Sequence, residues 1–410
     1  MSHLCDRRAA PILLAVACCV TAGCAEPLEF ADWAIEIPEG TPVREYAPVS
    51  MERRDPDAIQ LVDELVVGAS VDNPAQGVFR PSRVVGTADG TIFVADSAEN
   101  RIQVYDRNGA FIRTLGREGQ GPGEFGNLWG MTIAGDLLVV DDNRNNRFST
   151  WTLDGQHEGD YVKESALERR SRDIRGLPDG TIVARSYVFL PDGEERNVVT
   201  RLSLEEGEIA RLDEMAPGPA IIPEGFWTPI DFGNAFLQLF QQPLRTTRVA
   251  PWLVYVTPVH EYQVLAVSPE GTAAWALRVA WPRPDYSRWA KDYVAWQINA
   301  QEQGLDMDTL EWPTGEAWAI EDVLTDGAAR LYIVPGVYFD NVPPDYVPAD
   351  VYSPEGELVA AGYLPAKWEQ INAGPRGPWS HAAGEYVYGM REDESGEFVA
   401  VRYRLILNER

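Results

Sequence analysis

Residues Gly90 to Phe125, GTIFVADSAENRIQVYDRNGAFIRTLGREGQGPGEF, decide the fold of this chain. Three runs rich in β-branched and aromatic residues predict three strands. A short polar stretch separates the first two runs, and Asn108-Gly109 separates the second from the third; both patterns favour tight hairpins. A glycine-rich segment then leads into another apolar run. The stretch therefore predicts one antiparallel sheet whose consecutive strands are neighbours.

The same pattern recurs along the chain. Gly90, Gly135 and Gly180 stand 45 residues apart, and each ends a turn before an apolar run. Three weaker copies of this run follow at 252–256, 330–334 and 385–389. Glycine, which supplies the positive φ that tight turns require, also follows the third strand of five units, at Asn108-Gly109, Asp154-Gly155, Glu206-Gly207, Glu270-Gly271 and Glu355-Gly356. Six second strands predict six units.

These units predict an all-β fold, a six-bladed β-propeller over residues 59–410. The run TIFVADSAENRIQVYDRNGAFIRTLG resembles NHL repeats, and the resemblance covers this blade and its next copy. The sixth unit reaches Arg410 without a fourth strand. We expect QLVDELVVG, residues 60–68, to supply that strand, because such closure removes a free edge and ties both ends of the propeller together.

The connections between strands are expected on two opposite faces. Turns that follow the first and third strands of each blade are short, and we call their side the plain face. The second-to-third hairpins and the links between blades lie on the other side, the elaborated face. This face holds the long insertions, at 186–197, 213–236, 282–317, 335–347 and 363–380. Long loops usually carry function, so we predict binding there.

One insertion is predicted to contain a helix, at about residues 285–303. Asp285 can cap its start, and Gly304 can end it. Trp289 and Trp296 fall on one face of this helix. Such an aromatic stripe more often packs a helix onto the protein than it contacts a ligand. We therefore place binding on the loops.

Two charged pairs occur at the same hairpin of the first two blades. Asp96 precedes this hairpin and Arg101 follows it in blade one, as Asp142 and Arg147 do in blade two. Similar pairs occur in NHL repeats, which this sequence resembles. Because the pair repeats with the blade, we interpret it as structural.

The glycine-rich segment GREGQGPGEFG, residues 116–126, contains the spacing G-x-G-x-x-G. A dinucleotide site would need this spacing to follow a strand and open a helix. Here Phe125 leads into another strand instead. We predict a close turn between two blades rather than a nucleotide site.

Candidate ligand-binding residues lie on the predicted inner strands, which line the central channel, and on the long loops. A mixture of aromatic and polar side chains suits a small neutral or weakly cationic organic molecule, a glycan, or a peptide of an envelope protein. The sequence thus favours a binding module over an enzyme. The candidates are Arg83, Trp129, Arg172, Trp227, Gln238, His260, Glu321, Trp379 and His381.

The alternative is a hydrolase or lyase that uses a divalent metal at the mouth of the channel. The resemblance to NHL propellers extends to zinc-dependent peptide-amidating lyases, which use several converging histidines. Six-bladed calcium lactonases of the gluconolactonase type use Glu, Asn and Asp ligands instead. In this sequence Asp173, Glu321 and Asp322, together with His260 and His381, are the candidate ligands, and calcium is the metal that oxygen donors favour. No nucleophile-elbow motif is present.

The formal net charge is −28, from 35 basic and 63 acidic side chains. A chain this acidic is repelled by nucleic acids and by anionic membrane surfaces. We therefore predict no nucleic-acid partner, and membrane attachment only through a lipid.

The first residues predict export from a bacterial cytoplasm. Arg7 and Arg8 precede an apolar run that is too short to span a membrane, which is typical of a signal peptide. VTAGC, residues 20–24, resembles a lipobox, in which Cys24 would be lipidated after removal of residues 1–23. Many inner-membrane lipoproteins carry aspartate directly after the lipidated cysteine. Ala25 stands there instead, so by this resemblance we expect an outer-membrane location. Residues 24–58 are rich in proline and glutamate, and we expect them to form a tether.

Overall fold

The computed structural model describes residues 28, 33, 35–67, 77–78, 80–164, 171–189, 195–215, 244–250, 253–258, 261–282, 319–336, 346–365, 381–393 and 397–408. Within these ranges the strands form six sheets, and each sheet contains four antiparallel strands that are adjacent in the order of the blade. The prediction of an all-β, six-bladed propeller is confirmed.

Two strands precede the first blade, β1 (Val43–Tyr46) and β2 (Ile59–Val67), with a 3-10 turn at Met51–Arg53 between them. Blade one contains β3 (Pro81–Gly86), β4 (Ile92–Asp96), β5 (Arg101–Tyr105) and β6 (Phe111–Leu115). Blade two contains β7 (Leu128–Ala134), β8 (Leu137–Asp142), β9 (Arg147–Thr152) and β10 (His157–Val162). Blade three contains β11 (Ser171–Gly176), β12 (Ile182–Phe189), β13 (Glu195–Ser203) and β14 (Gly207–Met215).

Blade four contains β15 (Leu244–Ala250), β16 (Leu253–Pro258), β17 (Gln263–Val267) and β18 (Ala273–Val279). Blade five contains β19 (Ile320–Thr325), β20 (Leu331–Pro335), β21 (Tyr346–Tyr352) and β22 (Leu358–Pro365). Blade six contains β23 (His381–Ala383), β24 (Tyr386–Glu392) and β25 (Phe398–Leu407), and β2 pairs antiparallel with β25 as its outermost strand. The predicted helix at 285–303 lies outside the described residues.

The core lies between neighbouring blades. All residues of β4, β17 and β20 are buried, because another blade covers each side of these middle strands. The outer strand β6, by contrast, has three exposed residues, because it lies at the rim of its blade where solvent reaches it. Burial on both faces explains why the middle strands are continuous apolar runs rather than alternating ones.

The segment predicted as a tether is mostly part of the folded body, which corrects that prediction for residues 35–58. Ile35 is 3% exposed and packs in the core shared by blades three and four. β1 pairs in parallel with β18, at the outer edge of blade four. The backbone N–H of Asp55 donates to Ala361 O of β22 in blade five at 3.0 Å. We call residues 35–58 the strap, because they cross blades four and five before β2 enters blade six.

One buried ion pair fixes the strap to blade five. Arg54 Nη1 lies 2.7 Å from Asp350 Oδ1, and the two side chains are 0% and 2% exposed. The same nitrogen donates to Ala349 O at 3.0 Å. Tyr262 of blade four donates its hydroxyl to Asp350 Oδ2 at 2.7 Å. The pair therefore joins the strap, blade four and blade five in one buried network. The proline content of the segment predicted a tether because it reflects local conformation only. It could not reveal an ion pair with Asp350, which is distant in the sequence.

The inner strands approach each other closely near the plain face. A Cβ added to Gly176 at the end of β11 would lie 1.8 Å from Ile133 O of β7. The Gly176 N–H donates to Thr132 Oγ1 at 2.8 Å. Glycine is required here by space and not by conformation, because a backbone atom of the neighbouring blade occupies the position that any side chain would take.

Candidate functional site

The repeated charged pairs lie where the sequence predicted and serve the blades. Arg101 Nε is 3.5 Å from Asp96 Oδ2, and Arg147 Nε is 3.6 Å from Asp142 Oδ2. Both carboxylates are fully buried and also accept backbone N–H groups. Asp142 accepts from Gly126 at 3.1 Å, so the hairpin of blade two holds the link that enters it. Their role is structural.

The glycine-rich link at 116–126 runs from β6 to β7 and opens no helix. Arg147 Nη2 donates to Gly121 O at 2.7 Å and to Glu124 O at 2.6 Å. The Glu124 carboxylate in turn accepts the Gly121 N–H at 2.9 Å. The link is therefore a close connection between two blades, and its G-x-G-x-x-G spacing does not lie between a strand and a helix as in a dinucleotide site.

Five of the six inner strands bulge at the same place. In β3, β7, β11, β15 and β19 the register with the second strand shifts between the first and second paired positions. One residue is thus left without a partner position in each strand. The five bulge residues are Ser82, Trp129, Arg172, Arg245 and Glu321. The described part of β23, which has three residues, pairs without such a shift.

All five bulges lie on the elaborated face. Each is at the second residue of its inner strand, directly after the connection that enters the blade, and those connections define this face. We call the ring of inner-strand ends on this side the channel mouth. Bulges are frequent at functional sites, because they bend the strand and change the direction of a side chain. The channel mouth is therefore the candidate site.

The sequence-based candidates fall on this ring in part. Trp129, Arg172 and Glu321 are bulge residues, and Arg83 is one residue beyond the bulge in β3. For Arg172 and Glu321 the structure describes the backbone register. Trp227, Gln238, His260 and Trp379 lie outside the described residues. Sequence reasoning missed Ser82 and Arg245 at the equivalent positions, because a bulge adds one residue without changing the apolar pattern around it.

Arg83 is a buried cation at the channel mouth. Its residue is 8% exposed, and Nη1 donates to Ser82 O of the bulge at 2.6 Å. Trp129 at the neighbouring bulge is partly buried. In blade three, Arg185 of β12 is 7% exposed and is paired in register with Asp173 of β11. The channel mouth thus combines the partly buried indole of Trp129 with the buried guanidinium of Arg83, and Arg185 lies on the second strand behind it.

His381 begins β23 and lies deeper in the channel. It pairs with Tyr388, and the centroids of the two rings are 6.3 Å apart. Burial, and then the positive charge of Arg175, lower the pKa of His381 to about 4, against an opposing backbone hydrogen bond with Gly86. Arg175 belongs to blade three, which is opposite blade six in a ring of six. The charge therefore acts across the channel, and His381 is neutral near pH 7.

The folded protein should lose stability as the pH falls, because His381 resists protonation in the folded state. Its folded pKa of about 4 lies below the ordinary value of 6.5, so between these values the unfolded chain binds a proton that the folded chain excludes. The contribution is complete above pH 6.5 and is lost as the pH falls toward 4; it amounts to at most about 3 kcal/mol. Denaturant unfolding near pH 7 and near pH 4.5 should show that His381→Gln loses less stability on acidification than the wild type. Equal losses would contradict this.

No group of three or more His, Cys, Asp or Glu side chains that could hold a metal is found in the part of the chain that the structure describes. Of the metal ligands that the sequence suggested, His381 is the one whose side chain the structure describes. Its neighbours there are Tyr388, Arg175 and the backbone of Gly86. A cationic neighbour such as Arg175 does not favour a second cation beside this imidazole.

Fold and site together define a six-bladed β-propeller with an irregular channel mouth. The family model DUF5128, described as "6-bladed beta-propeller", matches residues 79–179. The search of curated proteins found no match. Among the residues that the structure describes, no helix is long and apolar enough to cross a membrane.

Several solved structures are similar to this chain. A Bacteroides fragilis NCTC 9343 protein whose name describes it as exported is 10% identical, covers 90% of this chain and 99% of its own, and has a TM-score of 0.43. A member of the duf4221 family from Bacteroides vulgatus ATCC 8482 is 11% identical, with coverage of 86% and 100% and a TM-score of 0.47. A catalytically inactive virginiamycin B lyase from Staphylococcus aureus with quinupristin is 10% identical, with coverage of 85% and 100% and a TM-score of 0.38.

Proposed function

We propose that this protein is a binding module that recognises a small organic ligand, a glycan or a protein partner on its elaborated face. The channel mouth is the centre of this site. The observation that carries the proposal is the ring of five bulges at equivalent positions. A bulge breaks the pairing of a strand and so weakens the sheet, and families keep such irregularities where they direct side chains.

The residue types at the bulges support binding rather than a purely structural role. Asp96 and Asp142, which serve the blades, are the same residue in both repeats. The five bulge residues are instead a serine, a tryptophan, two arginines and a glutamate. A position that only stabilised the repeat would need one chemistry in every blade. Different chemistries around one ring suit a ligand that has different groups around its outline.

We also propose that the protein acts in the bacterial envelope and is held there by a lipid on Cys24. Because the strap begins at Ile35, only ten residues, 25–34, lie between the lipidated cysteine and the strap. Fully extended, this link measures about 40 Å at most. A short link would keep the propeller close to the membrane surface, where it can meet envelope glycans, proteins or small molecules.

Ligand screening with a channel-mouth variant tests the proposal. The chain from residue 25, which lacks Cys24 and its lipid, would be screened by thermal shift against neutral sugars, oligosaccharides, amines, organic acids and calcium chloride. It would also be used to capture proteins from an envelope extract. We expect at least one organic compound or extract protein to bind the wild type and to bind Trp129→Ala at least tenfold more weakly. Val162→Ala, which alters an exposed outer-strand residue, should bind as the wild type does.

The outcomes separate the alternatives. Binding that Trp129→Ala leaves unchanged would place the site elsewhere and contradict the proposal. A stabilisation by calcium alone, without any organic or protein ligand, would favour the metal-dependent hydrolase or lyase instead.

A further inference from the structure

We propose that the elaborated face binds a neutral oligosaccharide at the part of the channel mouth formed by blades one and two. This inference rests on the proposed function and specifies the ligand class. One sugar ring stacks on the indole of Trp129, and exposed polar side chains of two neighbouring hairpins bond to the sugar hydroxyls. These are the second-to-third hairpins of the two blades, residues 97–100 of blade one and 143–146 of blade two.

The indole of Trp129 offers an apolar surface within a polar surrounding. Trp129 is the bulge residue of β7 and is partly buried. Its Nε1 atom is buried, so the surface that the indole exposes consists of carbon atoms. A pyranose ring has a face of C–H groups, with its hydroxyls around the rim. An exposed carbon ring with polar groups beside it therefore suits a sugar better than a compact ion.

The hairpin of blade two lies next to Trp129. Register places Trp129 opposite the last two residues of β8, Asp141 and Asp142, and the hairpin begins directly after them. The Asp142 carboxylate accepts the Asn127 N–H at 3.0 Å, and the Asn143 N–H donates to Asn127 O at 3.3 Å. Asn127 is two residues from Trp129, which is at most about 7 Å of chain. One oligosaccharide can therefore contact both the indole and the hairpin.

This hairpin is held by two of its side chains and presents two others to solvent. Asn145 Nδ2 donates to Gly119 O at 2.9 Å, and Asn146 Nδ2 donates to the backbone that follows β10 at 3.1 Å. Asn143 and Arg144 are exposed, and neither side chain has a hydrogen bond or ion pair with the residues that the structure describes. An amide both donates and accepts, and a guanidinium has five donors, which suits sugar hydroxyls. A hairpin that is already fixed loses little entropy when it binds.

Blade one repeats this arrangement beside blade two. The Arg80 N–H donates to the Asp96 carboxylate at 3.1 Å, and Arg80 stands two residues before the bulge residue Ser82. Asn127 of blade two has the same place before its own bulge. The side chains of Arg80 and Glu99 are exposed, and the inner strands of the two blades are in contact. A chain of sugar rings can thus extend from one hairpin to the other.

The residue types of this surface favour a neutral glycan over an acidic polymer or a protein. The two hairpins, SAEN and NRNN, and Arg80 together contain two arginines and one glutamate, although the whole chain has a net charge of −28. The charge of the chain repels polyanions, so an acidic glycan is disfavoured. A protein interface has apolar side chains at its centre, whereas neither hairpin contains a large apolar residue.

Calorimetric titration of the chain from residue 25 with trisaccharides tests the proposal. The neutral probes are maltotriose, cellotriose, mannotriose and triacetylchitotriose, and trigalacturonate is the acidic one. We expect at least one neutral trisaccharide to bind, and to bind more tightly than trigalacturonate. Trp129→Ala should weaken it at least about tenfold, and Asn143→Ala and Arg144→Ala each about threefold or more. Arg107→Ala and Asn108→Ala alter the same exposed residue types in a plain-face turn, and they should bind as the wild type does.

A second readout reports where the sugar binds. In fluorine NMR of the chain labelled with 5-fluorotryptophan, the resonance that Trp129→Phe removes should shift when the trisaccharide binds. The resonances of the buried Trp275 and Trp281 should stay unchanged. The inference is overturned if no neutral trisaccharide binds at millimolar concentration, if both hairpin variants bind as the wild type does, or if the Trp129 resonance does not shift. If no sugar binds but another organic compound or a protein does, and its binding depends on Trp129, the proposed function stands and only the glycan is wrong.

Discussion

Arg54→Met should destabilise the protein by about 3 to 5 kcal/mol, because it removes one partner of a buried ion pair. The Asp350 carboxylate would remain in the core with a hydrogen bond from Tyr262 and no cation. The strap would also lose the donor to Ala349 O. Denaturant unfolding measures the free energy directly. A cost of this size from one residue of the N-terminal segment would show that the segment belongs to the cooperative fold.

Two variants control this experiment. Arg44→Met in the same segment breaks an ion pair with Glu357, whose side chain is 63% exposed, and should cost less than about 1 kcal/mol because water screens that pair. Arg54→Met combined with Asp350→Asn removes both charges, and it should recover a large part of the loss because no ion remains buried. If Arg54→Met costs no more than Arg44→Met, the buried pair does not anchor the strap.

Gly176→Ala should cost on the order of 3 kcal/mol or prevent folding, because the new methyl group overlaps a backbone carbonyl. The added Cβ would lie 1.8 Å from Ile133 O and 2.4 Å from the carbonyl carbon. Neither atom can rotate away as a side chain does, so blades two and three must separate. The separation also breaks the hydrogen bond from the Gly176 N–H to Thr132. Denaturant unfolding and the soluble yield report the loss.

The matched controls are other glycines. Gly159→Ala on the outer strand β10 meets only the ring of Tyr161 at 3.5 Å, an ordinary contact, and should change stability by less than about 1 kcal/mol. Gly327→Ala repeats the strong test between blades five and six, where the added Cβ would lie 1.7 Å from Gly384 O. Equal stability of Gly176→Ala and Gly159→Ala would contradict the close approach of β7 and β11 at Gly176.

The site could be located only partly from sequence. Trp129, Arg172 and Glu321 were predicted from their place on the inner strands, and the register places them at bulges, which the sequence did not predict. Their role in binding stays a prediction. Arg245 was not predicted, although its position is equivalent. Bulges depend on how two strands pair, and the apolar pattern of one strand does not contain that information.

By itself, the sequence determined the blades, their turns and the hairpin pairs. These features depend on residues close together in the chain: glycine at a turn with φ of 96° or 83°, as at Gly90 and Gly109, or Asp96 five residues from Arg101. Short loops lose little entropy on closing, so local residue types suffice to specify them.

Only the tertiary structure decided the path of the strap, the burial of ion pairs and the electrostatics of the channel. Arg54 and Asp350 are about 300 residues apart in the chain, and Lys163 forms a fully buried ion pair with Asp141 that no local pattern indicates. His381 differs from an ordinary histidine because of Arg175 on the opposite blade. Each effect requires a partner on another strand, and the strap and His381 require one from another blade. Such partners meet only when the strands and blades assemble, and burial then makes their interactions strong.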